Sequence, residues 1–120
     1  MLLTCLKKEE IRDLYQQGKL EEALEAALNL VSKQPNNIDL LNLLGAIYSG
    51  LGLYGKGFVC FKRALRLQPL TYRSYLLMGD LYADWGKPEK AVTCYRQAVL
   101  CQPQYITSYI NMGVTFENKQ

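Results

Sequence analysis

The sequence predicts an all-α protein, a solenoid of antiparallel helix hairpins. About three and a half units of 34 residues fit its 120 residues. Three observations lead there. Pro35, Pro69 and Pro103 recur every 34 residues, each directly after a glutamine (Gln34, Gln68, Gln102). Gly18, Gly52 and Gly86 keep the same interval, and so do Gly45, Gly79 and Gly113. Between these marks the apolar residues follow a helical period. Leu41, Leu44, Ile47 and Tyr48 form one stripe, and Tyr54, Phe58, Phe61 and Leu65 form the next. Several independent series in one register mark an internal repeat.

The elements follow from this frame. Unit one, residues 4–37, opens on the charged run "KKEEIRD", polar enough to cap an end of the array. Unit two, residues 38–71, starts behind Asn37, an expected N-cap. Its first helix breaks at Gly52. Its second ends before Pro69, because the residue preceding a proline avoids the helical region. Unit three, residues 72–105, repeats the plan with Thr71 as the expected N-cap. Pro88 opens its second helix, where a missing N–H is harmless. The partial unit 106–120 holds a first helix carrying Tyr109, Met112, Gly113 and Phe116. One hairpin cannot bury its own apolar face, whereas stacked hairpins can, so residues 1–120 read as one domain in which each unit touches its neighbours.

The small residues have a mechanical role in this frame. Gly45 and Gly57 fall on facing helices of one hairpin, as do Gly79 and Ala91. Rings at Tyr48, Phe61, Tyr82 and Tyr95 are expected to fill the gaps between successive hairpins. Gly55 and Gly57 weaken the first turn of their helix by roughly 0.5–1 kcal/mol each relative to alanine, so Gly57→Ala is expected to be neutral or stabilising.

Taken together, these positions resemble the tetratricopeptide repeat. Unit three carries the pattern almost fully in Tyr75, Met78, Gly79, Tyr82, Ala91, Tyr95, Ala98 and Pro103. Unit two reads Leu41, Leu44, Gly45, Tyr48, Gly57, Phe61, Ala64 and Pro69, and unit one is degenerate. The resemblance implies a right-handed α-solenoid whose first helices line a concave groove for a partner's peptide or helix. The groove places it implies are Cys5, Lys8, Arg12, Tyr15 and Gln16 in unit one, and Asp39, Asn42, Ala46, Ser49 and Gly50 in unit two. In unit three they are Arg73, Leu76, Asp80, Ala83 and Asp84. In the last unit they are Thr107, Ile110, Val114, Glu117 and Asn118, beside Asn111. The surface so drawn is basic at the start, small and neutral in the middle, and acidic and apolar toward the end.

Two subfamily devices are tested by the same alignment. A clamp for the C-terminal carboxylate of chaperone tails falls on Lys8, Arg12, Leu43, Arg73 and Leu77. Its leucines cannot hold a carboxylate, which argues against that ligand. The asparagine ladder of protein O-glycosyl transferases falls on Leu43, Leu77 and Asn111, one match in three.

Composition narrows the function classes. The net charge of +3, spread along the chain, gives no footprint for nucleic acid. The uncharged run from Leu40 to Tyr54 is too short for a bilayer span, so no membrane role is expected. There is no histidine, which removes the commonest general base and metal ligand. Cys5, Cys60, Cys94 and Cys101 form no C-x-x-C pair, so no metal is expected and the thiols read as reduced and mostly buried. Positive charges follow the short apolar start of "MLLTCLKK", the wrong order for secretion, and a cytoplasmic location is expected. "GLGLYGKG" approaches a phosphate-binding loop at Gly50, Gly55 and Lys56, but lacks the preceding strand and the hydroxyl residue after the lysine. No cofactor is expected and no catalytic constellation is present. The reading is a non-catalytic scaffold for a protein or peptide partner. The alternatives are a repeat fragment of a larger protein such as an O-glycosyl-transferase-like enzyme, and a module that self-associates through its open C-terminal end.

Overall fold

The computed structural model describes residues 6–69 and 71–101. They form six α-helices: α1 (Lys8–Gln16), α2 (Leu20–Lys33), α3 (Ile38–Gly50), α4 (Tyr54–Leu67), α5 (Tyr72–Asp84) and α6 (Pro88–Cys101). No strand occurs among the described residues. The starts of α3 and α5, and those of α2, α4 and α6, keep the 34-residue spacing read from the sequence.

Each hairpin turns on one repeated device. Gly18, Gly52 and Gly86 adopt φ of +80°, +78° and +78°, a region that a side chain disfavours. In the middle turn the Gly52 N–H donates to the Ser49 carbonyl at 3.0 Å and the Leu53 N–H to the Tyr48 carbonyl at 2.9 Å. This pair of bonds satisfies the last carbonyls of α3 and reverses the chain. The same pairing recurs at Gly18–Lys19 and Gly86–Lys87. Lys56 therefore sits in the first turn of α4, behind a helix rather than a strand.

The helix starts differ. The Asn37 side chain accepts from the Leu40 N–H at 3.1 Å, as expected of a cap. Thr71 occupies the matching place before α5, but its side chain makes no capping bond, so the expected Thr71 cap is not formed. In α1 the Lys7 N–H donates to the Glu10 carboxylate at 2.9 Å.

Packing is sequential. Each helix lies against its chain neighbours, and α3 also touches α1 and α5. The body extends 46 Å along its long axis against 27 and 22 Å across. The buried apolar residues divide accordingly. One cluster joins Ile11, Ala23 and Ala27 of unit one to Leu44, Ile47 and Cys60 of unit two. The second joins Phe61 of unit two to Met78, Leu81 and Cys94 of unit three. The core thus lies at the joints between hairpins, as stacking requires. Cys60, Cys94 and Cys101 are free thiols. Burial pushes the Cys60 and Cys94 thiols up to about 11, well away from reactive thiolate character.

Phe61 lies at the joint as expected, and Phe61 and Tyr95 also fill space inside their own hairpins. A Cβ on Gly45 would lie 2.6 Å from Phe61 Cε1, and one on Gly79 would lie 2.6 Å from Tyr95 Cδ1. Beside Phe61, further rings close the joint between units two and three. Tyr54 and Tyr82 flank Trp85 at centroid distances of 5.6 and 6.2 Å, and Phe58 meets Tyr82 at 5.9 Å. Gly57 is closely surrounded as well. A Cβ there would stand 3.0 Å from the Gly45 carbonyl oxygen and 2.9 Å from Leu81 Cδ1. An alanine at 57 needs the Leu81 side chain to turn aside and the Gly45 carbonyl to give by a few tenths of an ångström.

Candidate functional site

The first helices of the units, α1, α3 and α5, supply most of the residues around two cavities. The two share Tyr15, Ala46 and Leu77. The first, about 430 Å³, runs between Lys8, Arg12, Tyr15 and Gln16 of α1, Asp39 and Asn42 of α3, and Arg73 of α5. The second, about 330 Å³, is lined by Ser49 and Gly50 at the end of α3 and by Asp80, Ala83 and Asp84 of α5. These volumes fall in the range of ordinary ligand clefts.

Sequence spacing brought most of these residues to one face. Lys8, Arg12, Tyr15, Asp39, Asn42, Ser49, Arg73, Asp80 and Asp84 all line the cavities. Leu76 does not line either one; it is half-buried beside them. Cys5, Thr107, Ile110, Asn111 and the open C-terminal end lie outside the described residues. Leu43 and Leu77, considered in the sequence only as clamp and ladder places, form part of the first cavity's wall. The signal for them was available. Leu43 stands three residues before Ala46 and seven before Gly50, on one helical face.

The charges segregate. In the first cavity, Lys8 Nζ pairs with Asp39 Oδ2 at 3.3 Å, while Arg12 and Arg73 make no ion pair among the described residues. Among the described residues two carboxylates and no cation line the second cavity. Tyr95 Oη donates to Asp80 Oδ1 at 2.6 Å. Loss of hydration against the wall of the hairpin pushes the Asp80 carboxyl above its usual range. The Tyr95 bond opposes that rise and the neighbouring Asp84 adds to it.

One polar group is set apart. Asn42 is only 3% exposed. Its Oδ1 accepts from Ser74 Oγ at 2.9 Å, a bond from α3 to α5 across the joint, and Ser74 is fully buried. Among the described residues the Asn42 Nδ2 has no hydrogen-bond partner.

Among the described residues no cluster of histidine, cysteine and carboxylate side chains suits a metal ion. No helix of the described residues is long and apolar enough to cross a membrane.

Comparison with known proteins agrees with this architecture. The family model described as "Tetratricopeptide repeat" matches residues 38–69, and the one described as "TPR repeat" matches residues 79–120. The chain belongs to the tetratricopeptide-repeat family. Among curated proteins, this repeat protein is similar to the BBSome complex member BBS4 of Bos taurus. The two are 36% identical over 59 residues, which is 49% of this chain and 11% of that protein. The match thus spans about a tenth of the relative's length. Among solved structures it is similar to the first TPR of Spaghetti (RPAP3) bound to the HSP90 peptide SRMEEVD. There the TM-score is 0.82 at 19% identity, covering 92% of this chain and 88% of that one. It is also similar to a mutant O-GlcNAc transferase of Thermobaculum terrenum, with a TM-score of 0.78 at 22% identity, covering 88% of this chain and 20% of that one. Likeness at these identities establishes the shared helical-repeat fold.

Proposed function

We propose that this tetratricopeptide-repeat protein is a non-catalytic interaction scaffold whose concave groove holds a segment of a protein partner. The observation that carries the reading is the pair of adjoining cavities along α1, α3 and α5, with Arg12 and Arg73 in one and two carboxylates in the other. A partner segment bearing an acidic group toward Arg12 and Arg73 and a basic group toward Asp80 and Asp84 gains attraction at both ends. The reversed segment meets repulsion at both, so charge fixes its direction. Small residues at Ala46, Ser49, Gly50 and Ala83 leave room for its backbone. A complex of a structural neighbour with a peptide supports the same mode of use.

The test begins with random heptapeptides displayed on phage and selected on the whole chain, followed by calorimetric titration of the recovered peptides. Arg12→Glu with Arg73→Glu, and separately Asp80→Lys with Asp84→Lys, should each weaken binding at least about tenfold, roughly 1.4 kcal/mol. Glu21→Lys with Glu25→Lys on α2 should leave it unchanged. Binding that survives both groove variants sinks the proposal.

A further inference from the structure

We infer that this chain self-associates through its second helices, α2 of one copy lying antiparallel on α4 of another. The starting point is a pair of stripes. On α2, Glu21, Glu25, Leu28 and Ser32 stand on one helical face, and all four are exposed. Their counterparts one repeat later on α4 are Gly55, Val59, Lys62 and Arg66, exposed as well. The opposite faces, with Ala23, Ala26 and Ala27 on α2 and Gly57, Phe61 and Ala64 on α4, are buried within the chain. The repeat thus sets both stripes at the same outward place, yet their chemistry is opposite. The charged residues of α4 are Lys56, Lys62, Arg63 and Arg66, all cations, whereas those of α2 are Glu21, Glu22, Glu25 and Lys33. Glu21, Glu25, Lys62 and Arg66 make no ion pair among the described residues.

Set antiparallel, the two stripes match place for place. Glu21 meets Arg66, Glu25 meets Lys62, Leu28 meets Val59, and Ser32 meets Gly55. Leu28 and Val59 are 42% and 63% exposed, apolar surface that the fold leaves in water and that the pairing removes from it. Opposite charges lie on one side of that contact and small residues on the other, where the helices approach without obstruction. Lys62 lies 5.9 Å over the Phe58 ring, a weak hold at an exposed place. Other pairings match worse. Laid parallel in the same register, the glutamates meet Gly55 and Val59, while Lys62 and Arg66 meet Leu28 and Ser32. The corresponding stripe of α6, Glu89, Thr93, Arg96 and Leu100, offers at most one opposite-charge pair against either helix. Pairing α2 with α2, or α4 with α4, offers none. The charge pattern therefore selects a second copy as the occupant, in a heterologous contact. None of the paired residues lines either cavity, so an engaged copy still has its groove to offer.

One helix pair buries less than the roughly 1,200 Å² of a stable complex, so the association is weak. Sedimentation of the whole chain tests it from about 10 μM to about 1 mM, the span of weak contacts. The average mass should rise with concentration in about 0.05 M salt and fall back at about 0.5 M. Glu21→Lys with Glu25→Lys, and separately Lys62→Glu with Arg66→Glu, should each remain monomeric with wild-type helicity. Mixed in equal amounts, the two variants should associate again, because each then meets the opposite charge. A wild type that stays monomeric at low salt overturns the inference. Association that survives in either variant alone does so too, as does a mixture that stays monomeric. The unaltered chain supplies a second measurement that does not depend on any variant folding. Copies of two isotopic compositions are mixed and treated with a carbodiimide, which joins neighbouring carboxylates and amines. Mass spectrometry should find Glu25 of one copy linked to Lys62 of the other. Links between copies that leave out this pair overturn the inference.

Discussion

Gly45→Ala is the sharpest probe of how these hairpins close. The added methyl carbon would lie 2.6, 2.7 and 3.0 Å from Cε1, Cζ and Cδ1 of Phe61. Ordinary carbon contacts begin near 3.5 Å, so the ring has to withdraw by roughly 1 Å. It has nowhere to go. Phe61 is 1% exposed and packs in the same cluster as Met78 and Leu81 of the next unit. Overpacking of a filled core is unfavourable by about 1–3 kcal/mol, and a rigid ring held from both sides places this site near the top of that range. Alanine returns about 1 kcal/mol through helix preference. The net loss is about 2 kcal/mol, which lowers the thermal midpoint by about 8 °C in a chain of this size. Circular dichroism at 222 nm during heating measures it. Phe61→Leu in the same background should recover part of the loss, because the methyl then enters space the ring has vacated. An unchanged or raised midpoint for Gly45→Ala refutes the claimed closeness of α3 and α4.

Two further outcomes follow from local chemistry. Asn37→Ala should lower stability by about 1 kcal/mol because it removes a formed cap, whereas Thr71→Ala should change it much less, since no capping bond exists there; equal losses in chemical denaturation contradict the assignment. Asp80 carries a raised carboxyl, so its favourable contribution is complete below the ordinary value of 3.8 and fades as pH rises through the raised value. Asp80→Asn should therefore be more stable than the wild type at neutral pH, with the difference closing on acidification. A less stable Asp80→Asn at neutral pH means that the Tyr95 bond to the carboxylate dominates.

Much of the fold was legible because its signals were redundant. Prolines, turn glycines and apolar stripes repeat in one register, and each constrains the same boundaries. That most of the candidate residues gather around two cavities was legible for the same reason, since equivalent places in stacked units share a face. What escaped was contact between side chains. Asn37 and Thr71 look alike as caps, yet one side chain makes the bond and the other does not. Gly57 reads as a weakness of α4, and no local pattern carries the nearness of the Gly45 carbonyl to it. Asn42 read as a groove residue among others. Its bond to Ser74 depends on how α3 meets α5, a relation across 32 residues that no local pattern carries.

The most direct test of the central claim is to map a bound peptide on the folded chain. Amide and methyl chemical shifts, recorded while a selected heptapeptide is added, should move at Tyr15, Leu43, Ala46 and Leu77, where the two cavities meet and on the wall of the first. The outer helices α2 and α6 should stay still, as should α4 away from Phe61, which lines the second cavity. Shifts concentrated on those outer helices, with the floor of the groove unmoved, contradict the account.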